Sequence, residues 1–289
     1  MKRNLHLLII DPQNDFCDLP QEYLPSSAGA SSPVVPALPV PGAHADMLRV
    51  AEIIKRGSAG LSGISVTLDS HHRIDIAHPT FWMDSAKGPV SPFTQITKAD
   101  VAEDKYAPRD AAALPRVMAY LDALESAGRY NLMVWPTHCE MGSWGHNVHA
   151  DVRAAYNRWE ESTLGTVNKI SKGTNSFTEH YSAIQAEVPD ANDDSTQMNY
   201  KFIDMLSDAD QVYITGEAGS HCVKATTEHI VDNWDQAKLD KLVLVTDCMS
   251  AVTGFDDHYQ GFIHAMRARG VQIAQASDVV AELIDNAKR

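Results

Sequence analysis

The sequence predicts a Rossmann-like, three-layer α/β/α fold built on a mostly parallel sheet. Short, continuously apolar runs alternate with amphipathic stretches of helical period, and the apolar runs are rich in Val, Ile and Leu. Continuous apolar strands separated by helices are typical of a parallel sheet that is covered on both faces. In such sheets, ligands bind beyond the carboxyl ends of the strands.

The alternation predicts seven strands and seven helices. The strands are predicted at 5–10, 64–68, 132–135, 167–170, 212–215, 242–246 and 271–274. The helices are predicted at 45–56, 111–127, 148–159, 198–209, 223–234, 258–269 and 278–288. Two long segments interrupt the pattern: 20–41 is rich in Pro, Ser and Ala, and 78–109 is mostly irregular. We therefore predict one domain over residues 1–289, with long loop insertions at about 20–41 and 78–109.

Composition excludes several function classes. The 289 residues carry a net charge of −14, which argues against binding to nucleic acids or anionic membranes. No stretch approaches the roughly 20 apolar residues that span a bilayer. The N-terminal apolar run is too short for a signal peptide, and the four cysteines form no C-x-x-C pair. We expect a cytoplasmic protein with reduced thiols.

Cys222 stands where a strand passes through a small-residue turn into a helix. Free backbone N–H groups and the helix dipole favour an anion at a helix N-terminus, so the position is suited to a reactive thiolate. The alternative is that Cys222 is a small apolar packing residue.

Polar residues follow the other predicted strands. Asp69 and His71 are two residues apart in extended backbone and point to the same side, where His138 from another strand end can join them. One carboxylate and two imidazoles suit Zn²⁺, with Fe²⁺ or Mn²⁺ as alternatives. The alternative interpretation is that these are hydrogen-bonded loop residues. His78 is either a further ligand or a pocket residue.

A cysteine nucleophile needs a partner for its proton or charge. Asp11 and Lys172, both at strand ends, are candidates for an Asp–Lys–Cys set in which the lysine lowers the thiol pKa. Lys169 is the rival lysine. His221 adjoins Cys222, but consecutive side chains on a helix diverge, so it is a poor base.

Five motifs in chain order carry a family resemblance. They are Asp11-x-Gln-Asn-Asp-Phe16, Asp69-x-His71, Trp135-Pro-x-His138-Cys139, Lys172-Gly173 and Gly216-x-Ala218 followed by His221-Cys222-Val223. With these motifs the chain resembles the nicotinamidases among the isochorismatase-like cysteine hydrolases. The resemblance implies the isochorismatase-like hydrolase fold and a metal-dependent amidase that acts on a small amide in NAD salvage.

The same resemblance implies a role for each matching residue. Cys222 would be the nucleophile, Asp11 the general acid and base, and Lys172 its charge partner. The backbone N–H groups of Ala218 and Cys222 would form the oxyanion hole, with a cis peptide before Ala218. One divalent metal ion would be held by Asp69, His71 and His138. Phe16 and Trp135 would be aromatic walls of the substrate pocket, and His221 is a further pocket candidate. Trp82 lies in a loop that is longer than in compact nicotinamidases, and we expect it to add a new wall to the pocket.

Two other functions are compatible with the sequence. A related amidase of the same fold would act on ureido, carbamoyl or aliphatic amides and would need no metal. A catalytically silent binding protein would keep the fold without the chemistry. The turn Ala218-Gly-Ser-His-Cys222 departs from the family, in which Thr-Asp or a similar pair often follows the alanine. Aromatic residues in the long loops also make a homo-oligomer a reasonable expectation.

Overall fold

The computed structural model describes residues 1–26 and 33–289, so the middle of the loop predicted at 20–41 lies outside the described residues. The described part of the chain forms ten strands and eight α-helices. The strands are β1 (Leu5–Ile10), β2 (Gly63–Asp69), β3 (Trp82–Asp84), β4 (Thr94–Ile96), β5 (Tyr106–Pro108), β6 (Leu132–Val134), β7 (Asn168–Lys172), β8 (Gln211–Gly216), β9 (Leu242–Val245) and β10 (Gln272–Ala274). The helices are α1 (Ala43–Gly57), α2 (Lys98–Ala102), α3 (Leu114–Ala127), α4 (Ala150–Thr163), α5 (Tyr200–Ser207), α6 (Cys222–Asp232), α7 (Asp256–Arg269) and α8 (Ala276–Ala287).

Six of the strands form the central sheet, in the order β10-β9-β8-β1-β2-β7, and every neighbouring pair is parallel. All six residues of β1, in the middle of the sheet, are buried, because helices cover both faces. Helix α1 packs against α4 and α8, and α6 packs against α7. The predicted parallel sheet is confirmed, and the seven predicted helices form with boundaries that shift by a few residues.

One predicted strand lies elsewhere. The run predicted at 132–135 forms β6, but β6 pairs antiparallel with β4 in a separate two-stranded sheet, not in the central one. Its apolar residues are buried, which is why the sequence marks them as a strand. Hydrophobicity predicts that a strand forms but not which strand it pairs with.

The segment 78–109 was predicted to be mostly irregular, and that prediction missed four short elements. It contains β3, β4, β5 and α2, and β3 pairs antiparallel with β5. Its apolar side chains pack with α3 and β6 around a second hydrophobic cluster that includes Phe81, Trp82, Ile96, Leu121 and Val134. Strands of three residues are too short to leave a periodic pattern in the sequence.

Trp82 was predicted to line the substrate pocket, and this is wrong. Its side chain is fully buried in the second cluster. Its indole N–H donates a 2.7 Å hydrogen bond to the carbonyl oxygen of Ile76. The side chain therefore has a structural role in the packing of the 78–109 segment.

Within the described residues, no helix is both long enough and apolar enough to cross a membrane.

Replacing Trp82 by Ala should lower the free energy of unfolding by about 3–5 kcal/mol, because it leaves a large cavity in the second cluster. Urea unfolding followed by circular dichroism measures the loss. Leu164→Ala is the control, since Leu164 is 91% exposed and its truncation should change the same free energy by less than about 0.5 kcal/mol. Equal effects of the two substitutions would contradict the assignment of Trp82 to a core.

Candidate active site

Four adjacent strands of the central sheet bring the predicted catalytic residues to one edge. Lys172 ends β7, Asp69 ends β2, Asp11 follows β1, and Cys222 follows the turn after β8. The sheet order β7-β2-β1-β8 makes these strands direct neighbours, and Asp69 and Lys172 are paired across their ladder. Their side chains meet because the carboxyl ends of parallel strands lie at the same edge.

The ammonium group of Lys172 contacts the other three side chains. Its Nζ lies 2.9 Å from Asp11 Oδ2, 2.9 Å from Asp69 Oδ1 and 3.6 Å from Cys222 Sγ. The four side chains are buried. The rival Lys169 lies on the same strand but is exposed, and its ammonium contacts the ring of Tyr156. Of the two candidate lysines, Lys172 therefore belongs to the site, because its side chain reaches the residues at the carboxyl ends of the strands and that of Lys169 does not.

Charges at this edge shift several pKa values. Burial lowers the pKa of Lys172, but the carboxylates of Asp11 and Asp69 outweigh it and hold that pKa well above its ordinary value. Burial, assisted by the nearby Asp69 carboxylate, raises the pKa of Asp11 against the opposing effect of Lys172. A carboxyl group with a raised pKa is a better proton acceptor than an ordinary aspartate.

The pKa of the Cys222 thiol differs from the sequence-based expectation. Lys172 does lower it, as expected, but burial raises it more, and the pKa of Cys222 stands well above its ordinary value. A raised pKa favours the protonated sulfur, so a neighbouring base has to take the proton as the sulfur attacks. Asp11 is the candidate base, since its carboxylate and the Cys222 sulfur both contact the ammonium of Lys172.

Asp11 is fixed by its neighbour on β2. Thr67 Oγ1 donates a 2.5 Å hydrogen bond to Asp11 Oδ1 and accepts one from the Asp11 backbone N–H at 3.0 Å. The backbone of Asp11 is in the left-handed region, with φ of 44°. The second carboxylate oxygen is thereby left to face Lys172 and Cys222.

The turn between β8 and α6 places the nucleophile. Gly216 has φ of 117°, and a Cβ there would collide with the carbonyl oxygen of Ile10, so only glycine fits. The Glu217–Ala218 peptide is cis, as the resemblance predicted, and α6 begins at Cys222. Within the described chain, the backbone N–H groups of Ala218 and Cys222 donate to no other group. Both are therefore available to an oxyanion.

The predicted metal ligands lie beside the nucleophile. Asp69 Oδ2 is 3.0 Å from His71 Nε2 and 3.3 Å from His138 Nε2. Two donors that are each about 2.0–2.2 Å from a common ion at tetrahedral or octahedral angles are separated by about 2.8–3.6 Å. The carboxylate and the two imidazoles thus fit a single divalent ion.

Second hydrogen bonds orient these imidazoles. His71 Nδ1 lies 3.1 Å from Asp75 Oδ2, and His138 Nδ1 donates to the carbonyl oxygen of Pro136 at 2.8 Å. Each Nε2 is thereby left to act as the ligand atom. One ring nitrogen each from His71, His78 and His138 lie within 4.8 Å of one another, so His78 is close enough to be a further ligand.

His138 reaches the site although β6 lies outside the central sheet. The loop after it pairs with the backbone of His71, whose N–H donates to the carbonyl oxygen of Cys139 at 3.0 Å. Two residues of the Asp11-x-Gln-Asn-Asp-Phe16 motif also hold these segments in place. Asp15 accepts from the Cys139 N–H at 2.7 Å, and Gln13 exchanges two hydrogen bonds of 2.7 Å with the backbone of Asp69.

A small cavity opens onto the nucleophile. Phe16, Trp135 and His221, three of the residues proposed for the pocket, line it together with Cys222. Sequence reasoning missed four further lining residues, which are Leu38, Glu179, Tyr181 and Val252. They come from irregular segments without periodicity. Only the apolar or aromatic character of Leu38, Tyr181 and Val252 could have marked them, and Glu179 has no such mark in the sequence.

Comparison with known proteins gives the fold. No family model matches the chain, and no curated protein matches it. Solved structures do: a nicotinamidase and pyrazinamidase of Acinetobacter baumanii is 18% identical, with a TM-score of 0.60 over 96% of this chain and 98% of that one. The yeast nicotinamidase is 17% identical, with a TM-score of 0.60 over 93% and 99%.

A third similar structure is a pyrazinamidase of Pyrococcus horikoshii in complex with zinc. It is 18% identical, with a TM-score of 0.52 over 94% of this chain and 99% of that one. The three-layer fold that the resemblance implied is therefore confirmed. At this level of identity the likeness establishes the fold, and the chemistry has to be argued from the site.

Replacing Lys172 by Met should slow the alkylation of Cys222 by iodoacetamide at pH 7 by about tenfold or more. The reason is that the ammonium lowers the thiol pKa, and one pKa unit is a factor of ten in thiolate. Mass spectrometry of the alkylated peptide gives the rate at each pH. Lys169→Met, on the exposed side of the same strand, is the control and should leave the rate unchanged. Equal slowing by both variants would contradict the specific effect of Lys172.

Proposed function

We propose that the chain is a metal-dependent cysteine amidohydrolase that converts nicotinamide, or a close heteroaromatic amide, to the acid and ammonia. The observation that carries this proposal is the buried ammonium of Lys172, which contacts both Asp11 and Asp69 and lies 3.6 Å from Cys222 Sγ. It links a nucleophile and a set of metal ligands in one cavity. The fold shared with nicotinamidases and pyrazinamidases supports the same activity.

The first half of the reaction forms a thioester. Asp11 takes the proton from the Cys222 thiol as the sulfur attacks the amide carbon. The backbone N–H groups of Ala218 and Cys222 donate to the oxygen that becomes negative. Asp11 then gives the proton to the amide nitrogen, the C–N bond breaks, and ammonia leaves.

The second half releases the acid. Asp11, again ionised, takes a proton from a water molecule as that water attacks the thioester carbon. The C–S bond breaks, the proton returns to Cys222, and the carboxylic acid leaves. Lys172 keeps its proton throughout, because two carboxylates hold its pKa well above neutrality, and it stabilises the negative charge that alternates between Asp11 and the sulfur.

Asp69, His71 and His138 would hold the divalent ion. When bound, the ion supplies a Lewis acid that can coordinate the ring nitrogen of a pyridine amide. The aromatic side chains of Phe16 and Trp135 then provide flat apolar walls for the ring. Zn²⁺ is our first candidate, since the carboxylate and imidazole donors suit it and the similar pyrazinamidase structure contains zinc.

Cys222→Ala should abolish ammonia release from nicotinamide, with a loss of at least about 10⁴-fold, because no other group can form the thioester. A coupled ammonia assay on the metal-loaded protein measures this. Cys248→Ala is the matched control: it makes the same change at another buried cysteine and should keep activity. Normal turnover by the Cys222 variant would end the proposal.

Chelation should remove the activity, and adding back Zn²⁺, Fe²⁺ or Mn²⁺ should restore it. Elemental analysis should find one divalent ion per chain in the wild type and none after His138→Ala, since loss of a ligand weakens the site. Full activity of the chelated protein on ureido, carbamoyl or aliphatic amides would favour the alternative, a metal-independent amidase of the same fold.

A further inference from the structure

The His221 side chain lies at the boundary between two cavities. It lines both the cavity that contains Cys222 and a second one, which we call the outer chamber, of about 220 Å³. Trp135 and Tyr181 also line both. The imidazole is only 6% exposed and packs edge-on against the rings of Trp135 and Phe255, with centroid distances of 5.2 and 4.7 Å. The ring is thus held in one orientation where a ligand would pass from one cavity to the other.

Ser220 fixes which nitrogen of His221 carries the proton. The Ser220 hydroxyl is fully buried and accepts a 3.1 Å hydrogen bond from the backbone N–H of Val252. His221 Nδ1 lies 2.9 Å from the same oxygen. In the described structure no other acceptor faces the hydroxyl hydrogen, and a buried donor is rarely left unpaired. The hydroxyl therefore donates to Nδ1, and the proton of the neutral ring sits on Nε2.

In the described part of the chain the Nε2–H group donates to no protein group, and Nε2 is not sealed from solvent. An acceptor on a bound molecule can therefore take the place of water at this donor. Burial lowers the pKa of His221 to about 3, so the ring stays neutral and keeps this donor at physiological pH. The group is suited to recognise an oxygen or nitrogen acceptor on a bound molecule.

The outer chamber indicates what kind of group it accepts. Its wall includes the aromatic rings of Trp135, Tyr181, Tyr130 and Phe255, with polar Gln95 and Asn131 among the other lining residues. One cation also lines it, Arg129, but its guanidinium lies 3.4 Å from Glu187 and 3.1 Å from Glu228. Because this cation is already paired, the chamber does not select an anion. An uncharged substituent that carries an acceptor fits best.

We propose that the preferred substrate is a pyridine carboxamide with an uncharged, acceptor-bearing ring substituent, which extends past His221 into the outer chamber and accepts a hydrogen bond from its Nε2–H group. This inference rests on the proposed amidase function and narrows its substrate class. His221 is then a specificity-determining residue. Unsubstituted nicotinamide would occupy only the cavity that contains Cys222 and would leave the Nε2–H group of His221 unpaired.

The test compares pairs of substrates of equal size. Pyridine-3-carboxamides are made with either a methoxymethyl or a propyl substituent at each free ring position, so that members of a pair differ only in the ether oxygen. For at least one position, wild-type kcat/KM should be about tenfold higher for the ether, as expected for one hydrogen bond to a buried donor. N-propyl nicotinamide tests whether the chamber instead receives the leaving amine.

His221→Phe keeps a flat ring but removes the donor, and it should reduce the ether-to-propyl ratio to near one. Ser220→Ala frees the ring tautomer and should reduce the ratio in part. His264→Phe, at an exposed position on α7 that lines neither cavity, is the matched control and should keep the full ratio. Each variant is judged by its own ratio of kcat/KM for the ether to kcat/KM for the propyl substrate. A general loss of activity lowers both values equally and leaves this ratio unchanged.

A wild-type ratio near one at every position would overturn the inference, as would a high ratio that survives His221→Phe or a preference for N-propyl nicotinamide. Each of these results leaves the amidase proposal intact, because nicotinamide is still hydrolysed. Absence of ammonia release from nicotinamide and from the whole series would instead refute the proposed function itself.

Discussion

The buried ammonium of Lys172 is the contact on which the rest of the site depends. Removing a single charge from water costs several kcal/mol unless an opposite charge and good hydrogen bonds compensate for it. Lys172 has two such partners, Asp11 and Asp69, each at 2.9 Å. In turn, this cation compensates for the burial of both carboxylates, and for Asp69 the neighbouring His71 also contributes. The three charges therefore stabilise one another. The groups around them are the proposed nucleophile, the Cys222 thiol, and the imidazoles of the proposed metal site.

Strand order makes this contact possible. Asp69 and Lys172 are direct ladder partners, and Asp11 and the turn before Cys222 follow the next two strands. The proton-transfer residues and the metal ligands meet because Asp69 belongs to both groups. Its Oδ1 faces Lys172 and its Oδ2 faces His71 and His138. A change in the register of β2 against β7 would separate the two halves of the site.

Much of this could be predicted from the sequence, because the site is built at strand ends. Apolar runs locate β1, β2, β7 and β8, and the rule for parallel sheets brings their following residues together. The choice between Lys169 and Lys172 needed the structure, since it depends on which side chain turns inward at the end of β7. The pKa of Cys222 also needed it: the helix position and Lys172 both suggest a thiolate, but burial dominates.

The errors of sequence reasoning have a common cause. The pairing partner of β6, the packing of Trp82 and the contribution of Tyr181 to the pocket all depend on long-range contacts of irregular or very short elements. Such elements carry no periodicity, and hydrophobicity alone does not say whether an aromatic side chain fills a core or lines a cavity. The outer chamber could not be predicted from the sequence either, because its lining residues come together only through long-range contacts.

A crystal structure of the Cys222→Ala variant with zinc and nicotinamide tests the central claim most directly. We expect anomalous scattering to place one zinc ion between Asp69, His71 and His138, bound to the pyridine nitrogen. The carboxamide carbon should face the side chain of residue 222, at a distance that leaves room for a sulfur about 3–3.5 Å away. A zinc ion elsewhere, or an amide that points away from residue 222 and Asp11, would contradict the account.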